Sequence, residues 1–108
     1  MPSSNSPPFS SIEDEDVDPI VHSPARLKIL TILKEVESAD FLFILRRTGL
    51  TRGNLSSHLS KLETVGYVRI TKEFVDKIPH TLIQLSDEGK TALERYRQQM
   101  LEKLEQIK

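Results

Sequence analysis

Residues 48–68 read TGLTRGNLSSHLSKLETVGYV, and this stretch decides the fold. Three of its leucines recur at intervals of four and three residues, so in a helix they would lie on one face. Thr51 is suited to cap that helix, because its side-chain oxygen can accept a free backbone N–H of the first turn. Gly66 can adopt the left-handed conformation that commonly ends a helix. The stretch therefore predicts a helix over Arg52–Val65 whose buried face consists of Leu55, Leu59 and Leu62.

A first helix is predicted well upstream of this one. Ser23 followed by Pro24 is a strong helix start, because serine caps free N–H groups and proline suits the first helical position. The helix is expected to extend over Pro24–Val36 and to be central to the core, since its apolar residues share one stripe. These residues are Leu27, Ile29, Leu30, Ile32, Leu33 and Val36.

A second helix lies between these two. It is expected to begin after a cap at Ser38 or Asp40 and to run to about Arg47. Gly49 is placed to end it in the left-handed conformation. Its expected buried residues are Phe41, Leu42, Ile44 and Leu45.

After Gly66 the apolar period changes from about 3.6 to about 2, which marks a switch from helix to strand. Val68 and Ile70 alternate with polar residues and predict a first strand. The segment Lys72–Pro79 is expected to be the hairpin loop, with Pro79 at its edge, where a missing N–H is tolerated. A second strand is predicted from Thr81, Ile83 and Leu85.

A last helix is predicted at the end of the chain. Ser86 can cap it, and Asp87 and Glu88 in its first turn suit the positive end of the helix dipole.

The complete order of elements predicts an α+β fold that is mostly α. It is a winged helix-turn-helix with a three-helix core, a two-stranded wing and a long C-terminal helix.

Composition restricts the domain organisation of the 108 residues and excludes several functions. Residues 1–18 are rich in serine, proline and acidic residues and predict a disordered acidic tail. Residues 19–85 form the predicted winged helix-turn-helix domain, and residues 86–108 the predicted dimerisation helix.

The lack of cysteine excludes disulfides, thiolate zinc sites and cysteine nucleophiles. With no signal-like or membrane-length apolar segment, the chain is expected to be soluble and cytoplasmic, with no membrane partner.

The net charge of −1 is unevenly distributed along the chain. Residues 1–23 contain five acidic residues and no lysine or arginine. Residues 24–85 contain ten basic and six acidic residues, a local net charge of +4. Because binding follows the local field of a surface, this middle segment can still face phosphate.

The stretch that decides the fold also carries a family resemblance. Residues 48–63, with Gly66, Tyr67 and Val68, resemble the recognition helix of MarR- and ArsR-like prokaryotic transcriptional regulators. Residues 85–89, LSDEG, resemble the junction between wing and last helix in those proteins. The resemblance extends over about residues 24–95. It implies binding of double-stranded DNA, usually as a homodimer on a near-palindromic site.

The polar face of the third helix is the expected DNA-binding surface, because the major groove is wide enough for a helix. Asparagine can pair with adenine, and arginine or lysine with guanine. The expected groove contacts are Arg52, Asn54, Ser57 and Lys61. Thr51 and Ser56 are expected to contact phosphates.

The wing is less basic than the wings common among such regulators, because Glu73 and Asp76 interrupt its positive charges. Most of the DNA contact is therefore expected from the helix. The candidate phosphate contacts of the wing are Arg69, Lys72, Lys77 and His80. Its apolar residues can instead pack on a partner or on the body of the domain; they are Phe74, Val75 and Ile78.

His58 is an isolated histidine beside the leucine face, and the other histidines lie far away in sequence. A metal role is therefore not expected, and a contact with a backbone carbonyl is the preferred interpretation. No acid pair, nucleophile–base set, phosphate loop or metal cluster stands out. The sequence thus predicts neither an enzyme nor a cofactor, and it identifies no small-molecule effector.

The last helix has an apolar stripe longer than one small domain requires. Packing on the first helix could use its first members, whereas the later ones are better explained by a partner copy. The predicted dimerisation residues are Leu93, Tyr96, Met100, Leu104 and Ile107. The expected partners are therefore double-stranded DNA and a second copy of the chain.

A protein–protein interaction module within a larger assembly is the alternative, since winged helices also serve as scaffolds. The acidic tail and the weakly basic wing favour this alternative. DNA binding is favoured by the positive charges around the second and third helices, which are Arg46, Arg47, Arg52 and Lys61.

Overall fold

The computed structural model describes residues 17–107 and confirms the predicted mostly helical winged fold. Four helices accompany one three-stranded antiparallel sheet in this part of the chain. In chain order the elements are α1 (Pro24–Val36), β1 (Ser38–Asp40), α2 (Phe41–Thr48), α3 (Arg52–Thr64), β2 (Val68–Val75), β3 (Ile78–Leu85) and α4 (Asp87–Glu105).

Side-chain caps start all four helices. Between the two caps left open for α2, the structure selects Asp40, whose carboxylate accepts the N–H of Phe43 at 2.8 Å. Gly49 ends α2 in the left-handed region, with φ 72°. The four N-caps are Ser23, Asp40, Thr51 and Ser86.

The core lies around α1, as the apolar stripe predicted. The three leucines of α3 are buried against it, together with residues from β3 and α4. Leu42 was expected in this core but is 43% exposed. Only Ile44 of α2 is fully buried, and Leu42 lies two residues away, about 200° around the helix.

Strand β1 was not predicted. It pairs antiparallel with β3, placing Ala39 opposite Ile83, and makes β3 the central strand in the order β1-β3-β2. Three residues are too few to show an alternating pattern, so this strand is defined by its pairing rather than by local sequence.

The predicted loop Lys72–Pro79 is wrong, because the strands continue through most of it. Val75 pairs with Ile78 across a turn of two residues, Asp76 and Lys77, which have φ values of 52° and 69°. Positive φ at both positions is the conformation of a type I′ hairpin turn, which asparagine–glycine usually marks in a sequence. This turn lacks that signal. Pro79 is compatible with its strand because β1 pairs only with Leu82–Gln84, farther along β3.

Residues at the junction of the predicted acidic tail and the predicted domain are attached to the rest of the fold. Asp18 accepts the N–H of Ile20 at 2.8 Å and the hydroxyl of Tyr67 at 2.5 Å. Val21 is completely buried in the core. We call residues 17–23 the N-terminal strap; the rest of the predicted tail, residues 1–16, lies outside the described residues.

Candidate nucleic-acid interface

The turn between α2 and α3 sets the direction of α3. The N–H of Gly49 donates to the carbonyl of Leu45 at 3.0 Å, and the N–H of Leu50 donates to the hydroxyl oxygen of Thr48 at 3.3 Å. From α1, the ammonium of Lys28 donates to the carbonyl of Thr48 at 3.4 Å. The two helices are thus joined by a hydrogen-bonded turn that α1 also supports.

Helix α3 has the two faces that its sequence predicted. Its leucine face is buried in the core, and the opposite face is exposed along the whole 13-residue helix, about 20 Å long. The structure brings six predicted DNA-binding residues together on this element, all of them exposed. They are Thr51, Arg52, Asn54, Ser56, Ser57 and Lys61.

The first turn of α3 is open to a partner. Thr51 accepts the N–H of Asn54 at 3.1 Å, and its hydroxyl proton can still be donated outward. The N–H groups of Arg52 and Gly53 belong to the same turn, where a helix favours anions. A Cβ atom on Gly53 would meet nothing within 4 Å, so packing inside the chain does not require glycine there.

The positive charges of α3 are available for phosphate or base contacts. Arg47 pairs with Glu35 at 3.2 Å and its guanidinium lies 5.5 Å from the ring centre of Phe43. In contrast, Arg52 and Lys61 have no ion-pair partner within residues 17–107. Of the two arginines of α2, Arg47 therefore already has an ion-pair partner in the chain, whereas Arg46 is exposed to solvent.

The predicted phosphate contacts of the wing are exposed but do not converge. Arg69 and Lys72 are three residues apart on β2 and therefore point to opposite faces of the hairpin, while Lys77 lies in the turn. The half-buried His80 lies opposite Glu73 across the two strands. The wing thus presents no continuous basic surface.

The apolar end of the wing does not pack on the body of the domain, which removes one of the two interpretations given above. Phe74 is 76% exposed, and Val75 and Ile78 are also exposed. Val75 and Ile78 are cross-strand neighbours beside the turn, so they form one apolar tip on a long hairpin.

His58 does not pack against a backbone carbonyl as expected. Its Nδ1 lies 3.1 Å from the guanidinium of Arg26 on α1. Desolvation by burial, followed by the positive charges of Arg26 and Lys61, lowers the pKa of His58 below its usual value. Within the described residues no group of histidine and acidic side chains is arranged to hold a metal ion. Sequence reasoning missed Arg26, because nothing in the local pattern connects residues 32 positions apart.

The structure separates the predicted dimerisation residues into a buried group and an exposed group. Leu93 and Tyr96 are buried in the core of the single chain, so the chain itself already covers them. Met100 is half-buried, whereas Leu104 and Ile107 are 56% and 73% exposed. Leu101, which was not predicted, is exposed as well.

An apolar groove of about 430 Å³ runs between α1 and α4. Its floor is formed by the stripe of α4 and by the adjoining side of α1. The apolar lining consists of Leu27, Leu93, Tyr96, Met100, Leu101 and Leu104.

Among residues 17–107, none of the helices combines the length and the apolar character that a membrane span needs.

Comparison with known proteins agrees with this arrangement. The winged helix DNA-binding domain family matches residues 25–107. An uncharacterized protein of Methanocaldococcus jannaschii is 34% identical over 83 residues, 77% of this chain and 90% of that protein. A transcriptional regulator homologue from Pyrococcus horikoshii OT3 has a TM-score of 0.81 and 29% identity, covering 87% of this chain and 95% of that one.

The fold is also that of MarR. A MarR mutant from E. coli in complex with operator DNA has a TM-score of 0.70 and 21% identity, covering 89% of this chain and 68% of that one. That similarity shows the fold. The family match points to a DNA-binding domain. Since the family match spans most of the sequence, the chain belongs to the winged helix DNA-binding domain family.

Proposed function

We propose that this protein is a homodimeric transcriptional regulator that reads specific double-stranded DNA with α3 in the major groove. The observation that carries the proposal is the exposed outer face of α3, where Arg52 and Lys61 have no ion-pair partner within residues 17–107. A rigid helix with a buried opposite face holds these side chains in fixed relative positions. Such a surface suits base recognition better than a loop does.

Each side chain on this face has a role in the proposal. Arg52 and Lys61 donate to guanine O6 and N7, and Asn54 pairs with adenine N6 and N7. Thr51 and Ser56 donate to phosphate oxygens and fix the register of the helix on the duplex. Ser57 lies between the two charged residues and can donate to a base edge.

The wing has a smaller role in this proposal. Arg69, Lys72 and Lys77 add individual phosphate contacts on either side of the hairpin, because they do not share one face. The sequence-specific part of the binding energy therefore comes from α3. The MarR mutant in complex with operator DNA has the same fold, which supports the proposal that this fold binds DNA here.

Dimerisation is proposed through the exposed end of the α4 stripe. Met100, Leu101, Leu104 and Ile107 leave an apolar surface beside the α1–α4 groove, and a second copy would cover it across a two-fold axis. Two copies would present two α3 helices to successive major grooves on one side of a near-palindromic site. In this proposal the protein acts on DNA in the cytoplasm and requires no cofactor.

The experiment that tests DNA binding is a titration of random-sequence duplex DNA at several salt concentrations. Phosphate contacts release counterions, so the logarithm of affinity should fall linearly with the logarithm of salt, by about 0.9 per contacted phosphate. Arg52→Glu and Lys61→Glu should each abolish binding at moderate salt with an unchanged unfolding transition. Lys90→Glu, an equal charge reversal on α4, should bind almost as well as the native chain.

The exposed apolar tip of the wing favours a second candidate, a protein–protein interaction module. Phe74, Val75 and Ile78 are unusual on a surface that faces phosphate, and Glu73 and Asp76 beside them oppose DNA. This candidate predicts no duplex binding even at low salt. It also predicts that the α3 charge reversals have no functional effect.

A further inference from the structure

The N-terminal strap is hydrogen-bonded to two distant parts of the fold. Asp18 accepts the hydroxyl of Tyr67, which directly follows the turn that ends α3. This hydrogen bond is the first cause of the rise in the pKa of Tyr67 to about 12. At the other end of the strap, Nδ1 of His22 lies 2.8 Å from the hydroxyl of Tyr96 on α4. The strap is therefore a fixed part of the domain and can serve as a support for α3.

Arg26 joins this strap to the recognition helix with a single side chain. Its Nε donates to the carbonyl of Ile20 at 2.6 Å, and one terminal nitrogen donates to the carbonyl of Pro19 at 3.4 Å. The other terminal nitrogen lies 3.1 Å from Nδ1 of His58 on α3. A guanidinium has only donors, so Nδ1 of His58 must accept and the ring proton must be on Nε2.

We infer that Arg26 is a positioning residue for DNA binding, which orients α3 through His58 without touching the duplex. The inference rests on the proposed function of α3. His58 lies between the buried and the exposed face of the helix, one residue after Ser57 and three before Lys61. Because the helix is rigid, a shift at His58 displaces the outer face. Base hydrogen bonds are confined to about 2.7–3.2 Å, so a displacement of the order of 1 Å weakens them.

A direct phosphate contact by Arg26 makes a different prediction from a positioning role. Loss of a phosphate contact reduces the dependence of log affinity on log salt by about 0.9. Loss of a positioning contact weakens binding to the preferred sequence but leaves this slope unchanged. Non-specific binding is also unaffected in the second case, because it does not depend on base contacts.

The test is a double-mutant cycle with Arg26→Ala and His58→Ala. The DNA is a duplex that the native protein selects from a randomised pool, compared with a non-specific duplex of equal length. Each single variant should weaken specific binding about tenfold, in line with a hydrogen bond that involves a charged group. The double variant should bind the selected duplex as tightly as the single variant that binds it more weakly. The slope of log affinity against log salt should be unchanged. His58→Asn, whose side-chain oxygen can accept at the place of Nδ1, should restore most of the affinity.

Controls separate positioning from folding and from loss of charge. Lys90→Ala removes one exposed positive charge from α4 and should have no effect on specific binding. If Arg26→Ala does not fold, His58→Ala carries the test, because it leaves the bonds of Arg26 to the strap in place. Additive effects in the cycle, unchanged affinity in His58→Ala, or a salt slope reduced by about 0.9 in Arg26→Ala would overturn the inference. A native protein that binds no duplex would overturn the proposed function, and the inference with it.

Discussion

The backbone carbonyl oxygen of Tyr67 lies so close to Gly89 that a Cβ atom on Gly89 would overlap it. Ser86 holds the two segments together: its N–H donates to the carbonyl of Tyr67 at 3.1 Å, and its hydroxyl donates to the carbonyl of Gly66 at 2.5 Å. The same hydroxyl oxygen accepts the N–H of Gly89 at 3.0 Å. Helix α4 therefore begins in direct contact with the turn that ends α3.

Gly89→Ala should destabilise the protein, although alanine normally favours a helix. The added methyl would overlap a backbone atom that cannot rotate away, and we expect a loss of at least about 1–3 kcal/mol in the free energy of unfolding. Urea denaturation followed by circular dichroism measures this loss. An unchanged or increased stability would show that α4 does not approach the turn this closely.

Gly53→Ala is the matched substitution on a face with free space. Nothing lies within 4 Å of its Cβ position, so we expect a gain in stability of at most about 1 kcal/mol. The same methyl would stand at the open first turn of α3 and should weaken DNA binding. If stability rises and affinity is unchanged, DNA does not approach this turn.

Lys77→Gly should relieve the turn of the wing and remove one proposed phosphate contact. The φ of 69° at Lys77 is unfavourable for a side chain, so we expect a gain of about 0.5–1 kcal/mol in stability. The salt slope of DNA binding should fall by about 0.9. Lys77→Ala removes the same charge but keeps the strained turn, and it should change the slope without the gain in stability.

His58 should make stability depend on pH below neutrality. Its pKa is lowered by burial, Arg26 and Lys61, so between the folded pKa and the unfolded value of 6.5 the unfolded chain binds the proton more readily. The stabilisation is complete above about pH 6.5 and is lost as the pH falls towards the folded pKa. Denaturation of the native chain and of His58→Asn between about pH 5 and 8 should show a smaller slope in the variant. If the stability of the native chain and of His58→Asn changes with pH in the same way, the pKa of His58 is not lowered by folding.

The exposed end of the α4 stripe should control the oligomeric state. Leu101→Glu with Leu104→Glu places two charges on the proposed dimer surface without touching the buried Leu93 or Tyr96. Sedimentation should then show a folded monomer with weaker DNA binding. Glu102→Ala on the same helix is the control and should remain dimeric. If the double variant remains dimeric, the dimer interface must lie elsewhere on the protein.

Local sequence determined most of the helical framework. The caps Ser23, Thr51 and Ser86 act on N–H groups three residues away, and the buried leucines of α3 repeat every three or four residues. Such interactions lie within one helical turn, so a short stretch of sequence reveals them. For the same reason the outer face of α3, and with it the candidate site, was predictable from the spacing of residues 55, 59 and 62.

Tertiary structure decided the features that depend on contacts between distant residues. Strand β1 exists because Ala39 pairs with Ile83, and the hairpin is longer than expected because its turn has a conformation that Asp76 and Lys77 do not signal. Two contacts of the strap join residues 49 and 74 positions apart, and Arg26 meets His58 across 32 positions. No local pattern encodes these separations, since the partners meet only after the core has packed. The sequence alone therefore determined that the third helix has an exposed polar face, whereas only the folded chain brings Arg26 beside His58 on that helix.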